Sequence, residues 1–362
     1  MLSAKLIRAH FSPAVLLGVV WLVAIIVFAY AQSPRTFLDP DSFYHLRLTT
    51  MLRDHGPLME FPWTTTSLYQ TTFYDHHLGY HLLLIPFVSA FSGEFTGYKL
   101  ATILFASLSI LAIAWVLRRW QVPAWWAWGL LPLTLAPLLF RLSLAKAPSL
   151  AIGVAVVAFY LVTARRKHAL FWWTWFNTFL YSSWPLIPVF VALLMLVQAL
   201  EEWPKGWLAM VRSFMARQNL MLGGVVIAGI TCGLVINPYF PQNIIYLKQL
   251  LGMALVPYYK FLGIGSEWYP FNPFDLPEYL AYGLMVWLLA TVAGVITFKR
   301  QSTLARITWL TTLLFLIYTL RARRQAEYLA PWLVLSAALM VRECGWASLA
   351  KIKALWQGVA EG

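Results

Sequence analysis

Long uncharged apolar stretches dominate the chain, separated by short clusters of charge. They cover 13–30, 101–117, 120–140, 147–164, 169–200, 218–247 and 279–298. Most are long enough to cross about 30 Å of hydrocarbon at about 1.5 Å per residue, so each predicts a membrane-spanning helix. Two later runs, 307–320 and 328–341, are shorter. The flanking Arg306, Arg324 and Arg342 extend them, because a long cationic side chain can lie along apolar surface with its head in water.

The run at 169–200 is long for one helix and short for two, with Ser182-Ser183-Trp184-Pro185 at its middle. The proline favours two shortened helices. The resulting pattern has ten crossings, near 13–30, 97–117, 121–140, 149–164, 169–183, 185–200, 220–236, 279–298, 307–320 and 329–341. With the N-terminus inside, 16 of the 27 Lys and Arg residues fall on the cytoplasmic side. A single crossing at 169–200 would leave only 12 there, so the positive-inside rule also favours two. Two long segments then face outward, 31–96 and 237–278, with shorter ones near 141–148 and 321–328. Residues 1–345 form the membrane domain and 346–362 a short cytoplasmic tail.

Composition agrees with this pattern. Of 362 residues, 60% are hydrophobic and 11% charged, which leaves too little polar surface for a soluble domain of this size. The nineteen Trp residues suit membrane-water interfaces. The first apolar run is long and no small-residue cleavage site follows it before Arg35, so it reads as a span rather than a cleaved signal peptide. Cys232 and Cys344 are the only cysteines, which argues against a disulfide framework. The expected class is an all-α polytopic membrane protein.

Candidate chemistry collects in the outward segments. The first contains Asp39-Pro40-Asp41-Ser42-Phe43-Tyr44-His45-Leu46-Arg47, and five of the seven histidines lie between His45 and His81. Asp41 is expected to cap a helix carrying Tyr44, His45 and Arg47, its carboxylate accepting from free backbone amides. Capping explains one aspartate, but not Asp39 beside it. A second cluster is Asp75-His76-His77, followed by His81; His77 and His81 are spaced for one face of a helix, compatible with a metal. Farther on, Glu267 is the sole carboxylate between Glu202 and Asp275, after an amphipathic stretch through Lys248 and Lys260. Last, Arg321, Arg323 and Arg324 sit on the side the positive-inside rule disfavours, beside Glu327. Bound phosphate would account for them, since guanidinium forks pair with phosphate oxygens; Arg141 and Lys146 occupy another outward loop and can join the same anion site.

In this order the pieces resemble the catalytic subunits of oligosaccharyltransferases, within the GT-C membrane glycosyltransferases. Asp41 through Arg47 is similar to that family's first-loop aspartate motif. Ser266-Glu267-Trp268 stands where the family carries a loop glutamate, Arg323 through Tyr328 resembles its late arginine motif, and Phe179 through Trp184 resembles a mid-chain segment. The resemblance implies a GT-C-like bundle acting on a polyprenyl-linked sugar donor at the non-cytoplasmic side. Asp41 and Glu267 would be catalytic or metal-holding, Arg323, Arg324 and Lys146 would hold the donor phosphate, and Asp39, His45, Arg47, Asp75, His76, His77 and His81 would support them. It also implies a divalent metal, Mg or Mn. The chain departs from the family here, because 141–148 carries no carboxylate where the family has a second acidic pair. The family's acceptor-sequon motif lies in a soluble C-terminal domain, whereas this chain ends about twenty residues after its last predicted helix. Recognition of a peptide sequon is therefore not carried over; the partners considered are the lipid-linked sugar donor, membrane lipids and a partner subunit for acceptor recognition, with the acceptor not specified and nucleic acid not expected. Two rival readings are a non-catalytic transporter or scaffold for lipid-linked sugars, and a membrane hydrolase with metal on His76, His77 and His81. Ion-coupled transport predicts ionisable groups at mid-membrane, and almost none stand there.

Overall fold

Runs of leucine, valine and alanine with few interior breakers satisfy their backbone only as helices once water is excluded. A computed structural model describes the backbone of residues 12–91, 93–255 and 265–360. Among these, the regular structure is helical: α1 (Pro13–Ala31), α2 (Asp41–His55), α3 (Leu78–Ala90), α4 (Glu94–Arg119), α5 (Trp125–Leu130), α6 (Ala136–Ser143), α7 (Pro148–Thr163), α8 (Lys167–Leu180), α9 (Leu186–Glu202), α10 (Trp207–Phe214), α11 (Arg217–Ile236), α12 (Gln242–Leu255), α13 (Leu276–Ile296), α14 (Thr303–Arg321) and α15 (Ala326–Ala360). Helices occupy every predicted crossing. The last continues to Ala360, through most of the segment expected as a tail, and Lys260 lies outside the described residues.

Among the described residues, five helices are long and apolar enough to cross a membrane by themselves, and a sixth if the bent pair of 125–134 and 136–143 is one span. The chain is a polytopic membrane protein. Its apolar outer surface has the expected pattern: in α1, Val20, Ala24 and Phe28 are buried against the bundle while Leu22 and Ile26 are more than half exposed. Threonine hydroxyls on one late helix are satisfied locally. On α14, Thr308, Thr311, Thr312 and Thr319 each donate to the carbonyl four residues earlier.

Cross-helix polar contacts sort the loops onto two ends. At one end, Arg119 Nε donates to the Tyr160 hydroxyl at 3.2 Å, Arg165 Nη2 to Gln198 at 2.9 Å and Asn219 at 2.7 Å, and Arg306 Nη1 to Glu201 at 2.9 Å. Because Arg165 at the foot of α8 meets Gln198 near the end of α9, the chain runs out and back between them. Residues 169–200 thus fall in two helices of opposite direction, of which Leu186–Glu202 belongs to a segment long and apolar enough to cross a membrane. Tyr181, in the turn between those helices, lies at the opposite end with Arg324.

The segment predicted as one crossing at 121–140 is not straight. Its two parts meet at 79°. Leu135 is extended (φ −92°, ψ 102°), and Pro137, which has no N–H to give, begins the new helix. The break tilts α6, whose last turn carries Arg141. Hydropathy marked the run correctly, but no hydropathy value encodes a bend.

Helices α4 and α7 approach closely at Gly153, whose amide donates to Ser109 Oγ at 3.1 Å. A Cβ there would stand 2.7 Å from Ser109 Cα, whereas one at Gly224 would meet nothing within 4 Å. We expect Gly153→Val to lose about 1–3 kcal/mol by overpacking. Gly224→Ala should be neutral or slightly stabilising, by up to about 1 kcal/mol. Thermal unfolding followed by tryptophan fluorescence tests the pair; equal melting temperatures would refute the packing.

Candidate active site

Helix α2 starts at Asp41, with Pro40 as the cap residue and no side-chain cap bond. The expected capping role is therefore not found. Asp41 is the first helical residue rather than the cap, and its carboxylate turns to Lys146, which donates to Oδ2 at 2.7 Å. The same ammonium stands 2.9 Å from Asp39 Oδ1, at an angle that makes an ion pair rather than a hydrogen bond. Lys146, expected beside the donor phosphate, thus faces two carboxylates. Its side chain is 11% exposed and that of Asp41 68%, so the aspartate remains open to solvent.

The second half of the site gathers around Glu267, in a short 3-10 turn (Ser266–Trp268). Oε2 accepts from Arg141 Nη1 at 2.8 Å and Oε1 from Arg324 Nη1 at 2.9 Å. Arg141 also donates through Nε to the buried Glu327 at 2.6 Å. Arg324 donates to the Tyr181 hydroxyl and stacks on Trp268, 5.1 Å from the ring centre. Burial opposes the charge on Glu267, but Arg324 and Arg141 outweigh it and hold its carboxyl below the ordinary value; Lys146 adds to that pull, which places both halves within electrostatic reach.

The adjacent arginines do different things. Arg324 enters the centre. Arg323 is exposed and secures the neighbouring loop: its amide donates to Tyr269 O at 3.0 Å and its Nε to Pro270 O at 3.4 Å. Both line a cavity of about 190 Å³ together with Arg141, Glu267 and Glu327, bordered by the exposed rings of Phe140 and Tyr279.

The histidines form a separate buried chain. Asp75 Oδ2 meets His81 Nδ1 at 2.7 Å, and His81 Nε2 meets His45 Nδ1 at 2.8 Å. Asp75 Oδ1 accepts from the His77 amide at 2.9 Å. The His77 ring stacks on Tyr181 at 5.1 Å and that of His76 on Tyr246 at 4.7 Å. The spacing that suggested metal ligation has a packing explanation: among the described residues no three His, Cys, Asp or Glu side chains are placed to hold a metal ion. His77 is the cap residue of α3 and His81 lies one turn on, their ring centres 6.1 Å apart, but both nitrogens of His81 are taken up by Asp75 and His45. Arg47 is exposed on α2 and has no part in this chain.

Tyr181 was not singled out as a site residue, yet it joins Arg324 to His77. The only sequence signal was an aromatic turn, Tyr181-Ser182-Ser183-Trp184-Pro185, between two apolar runs that end on the same face as the acidic motif.

No protein-family profile matches the chain, and no curated protein matches it. Among solved structures, the chain resembles the crystal structure of the Archaeoglobus fulgidus oligosaccharyltransferase tethered to an acceptor peptide containing the NVT sequon. The TM-score is 0.59 at 14% identity, over 92% of this chain and 50% of that one. The bundle therefore has an oligosaccharyltransferase-like fold, and it spans half the length of that protein.

Burial lowers the affinity of His45, His76 and His77 for protons, taking His76 to about 4. An unfolded chain, with histidines near 6.5, then binds more protons than the folded one. Their contribution to stability is complete above 6.5 and is lost as pH falls toward 4. We expect the melting temperature to drop over that interval, and less steeply in His76→Gln. A wild-type profile flat across it would show that these rings are not held neutral.

Proposed function

We propose that this protein is a membrane glycosyltransferase that moves a sugar from a polyprenyl-linked phosphate donor to an acceptor at the Asp41 end of the bundle. The observation that carries the reading is the cavity holding Arg141 and Arg324, with an apolar aromatic rim, while Lys146, the partner of Asp41, acts electrostatically on Glu267 in its lining. A lipid donor must leave its tail in hydrocarbon while its phosphate stays at the interface, and such a rim beside guanidinium groups suits both parts. A guanidinium carries five N–H donors. Arg324 uses Nη1 and Nη2 on Glu267 and Tyr181, and Arg141 uses Nε and Nη1 on its glutamates. Each therefore has donors beyond these contacts for phosphate oxygens.

The chemistry follows from the positions. The acceptor's heteroatom bonds to the anomeric carbon of the sugar as its proton passes to the Asp41 carboxylate. The carbon–oxygen bond to phosphate breaks, and the electron pair leaves with the phosphate, whose growing charge Arg324 and Arg141 stabilise. Asp41 serves as the base because its carboxylate is exposed, whereas Glu327 is buried and Glu267 is held by two arginines. The fold resemblance supports this class of reaction. The donor would be a mono- or diphosphate, and the opposite end, with Arg118, Arg119, Arg165 and Arg166, would face the cytoplasm by charge bias. The active face is then extracellular or periplasmic, or lumenal in an endoplasmic reticulum. The reading carries with it membrane lipids and an acceptor-recognising partner subunit.

The direct test supplies purified chain and acceptor-bearing membranes with polyprenyl-phosphate and polyprenyl-diphosphate sugars labelled in the sugar. Label should leave the lipid fraction and appear in product. Asp41→Asn should reduce that rate on the order of 10²–10⁴-fold, the usual contribution of a positioned acid or base. Arg324→Ala should raise the donor KM and lower kcat. Undiminished transfer by Asp41→Asn would remove the assignment.

A further inference from the structure

Lys146 belongs to a four-residue connection, 144–147, between α6 and α7, and that connection is fixed from several directions. Ser149 donates through both its amide and its hydroxyl to the Lys146 carbonyl, at 3.1 and 2.8 Å. The Tyr98 hydroxyl donates to Ala145 O, and Gln32 Nε2 to Ser143 O. Ala145 and Ala147 on either side are buried in the core around Tyr80 and Tyr98. The lysine is the one side chain of the connection directed at the carboxylates of the first loop.

A divalent ion on Asp41 and Glu267, as the family resemblance implied, can be tested against these contacts. Ions of that kind take about six oxygen ligands, most of them carboxylates and waters. Here Asp41 Oδ2 and Asp39 Oδ1 both face one ammonium, and the two oxygens of Glu267 face two guanidiniums. No third metal-ligating side chain joins them among the described residues. The donor set does not fit.

We propose that the Lys146 ammonium is the resident cation of this site, bridging Asp39 and Asp41 as a divalent ion would elsewhere, so that the chain works without a metal. The proposal rests on the transferase reading, and it makes Lys146 a positioning residue: it fixes the orientation of the Asp41 carboxylate. An ammonium has three N–H donors. One is given to Asp41, Asp39 is held as an ion pair, and the remaining N–H groups are left for an oxygen of donor or acceptor. A single charge at this point also accords with the absence of a carboxylate from 141–148, since another acid would deepen the cluster's negative excess.

The test uses the full chain in lipid nanodiscs and Mn²⁺ as the probe, with binding read by electron paramagnetic resonance. Wild type should leave Mn²⁺ free. Lys146→Asp, which turns the bridge into a third carboxylate, should bind one Mn²⁺ per chain, and adding Asp41→Asn should abolish that binding. Stoichiometric Mn²⁺ on wild type, lost in Asp41→Asn, would overturn the proposal, as would a folded Lys146→Asp chain that binds no more than wild type. The wild-type measurement decides even where the variant fails to fold. Because no donor is involved, failure of the transfer assay leaves this measurement standing, and Mn²⁺ on wild type would remove the lysine's role without touching the transferase reading. In an active preparation, a chelator should leave turnover unchanged while Lys146→Met lowers it at least tenfold and shifts its pH profile.

Discussion

Glu267 between Arg141 and Arg324 is the contact on which the arrangement of this end depends. Its partners are 126 and 57 residues away in the chain, on the tilted α6 and on the turn before α15. Charges withdrawn from water persist only when paired. The two carboxylates on Arg141 differ in weight. Glu327 is 1% exposed, and removing Arg141 would strand its buried charge, a loss on the order of 3–5 kcal/mol. Glu267 is 34% exposed, so solvent screens its contacts and its release costs much less. Glu327 is thus the fixed counter-charge and Glu267 the adjustable one. On the transferase reading, a donor phosphate would compete with the second and not with the first.

The bend at Leu135 is what makes this contact geometrically available. An unbroken helix would have carried 125–143 along a single axis with Arg141 at its tip. The 79° change of direction instead tilts the last two turns, so that Arg141 meets Glu267 and Glu327 together. The loop bearing Glu267 is seated by independent backbone bonds, Phe271 N to Leu320 O and Arg323 N to Tyr269 O, both 3.0–3.1 Å long. Arg323 therefore serves the centre through its main chain as much as through its guanidinium, and that is why two adjacent arginines have different surroundings.

Much of this was legible in the residues. Apolar run length located the helices, and the proline marked the break between the two helices of 169–200, because both report on what backbone can do in hydrocarbon. The meeting of Asp41, Lys146, Glu267 and Arg324 at one end follows from the same alternation of loops. What the residues did not disclose was direction. Asp41 reads as a cap from its neighbours alone, since nothing local signals an ammonium arriving from residue 146. His77 and His81 do lie one turn apart, but spacing cannot show that Asp75 and His45 take up both nitrogens of His81. Tyr181 was invisible for a related reason: an aromatic in a turn becomes functional only through what the fold sets against it.

The net charge of the cluster narrows the choice of base further. Asp39, Asp41, Glu267 and Glu327 face Lys146, Arg141 and Arg324, an excess of one negative charge before any substrate arrives. A bound phosphate deepens that excess unless Glu267 withdraws from the arginines or a carboxylate takes up a proton. An acceptor that gives its proton to Asp41 supplies that neutralisation at the moment the phosphate departs with added charge. On the transferase reading, the two charge movements are therefore coupled: protonation of Asp41 releases Lys146 from one of its two counter-ions just as the leaving phosphate gains need of a cation.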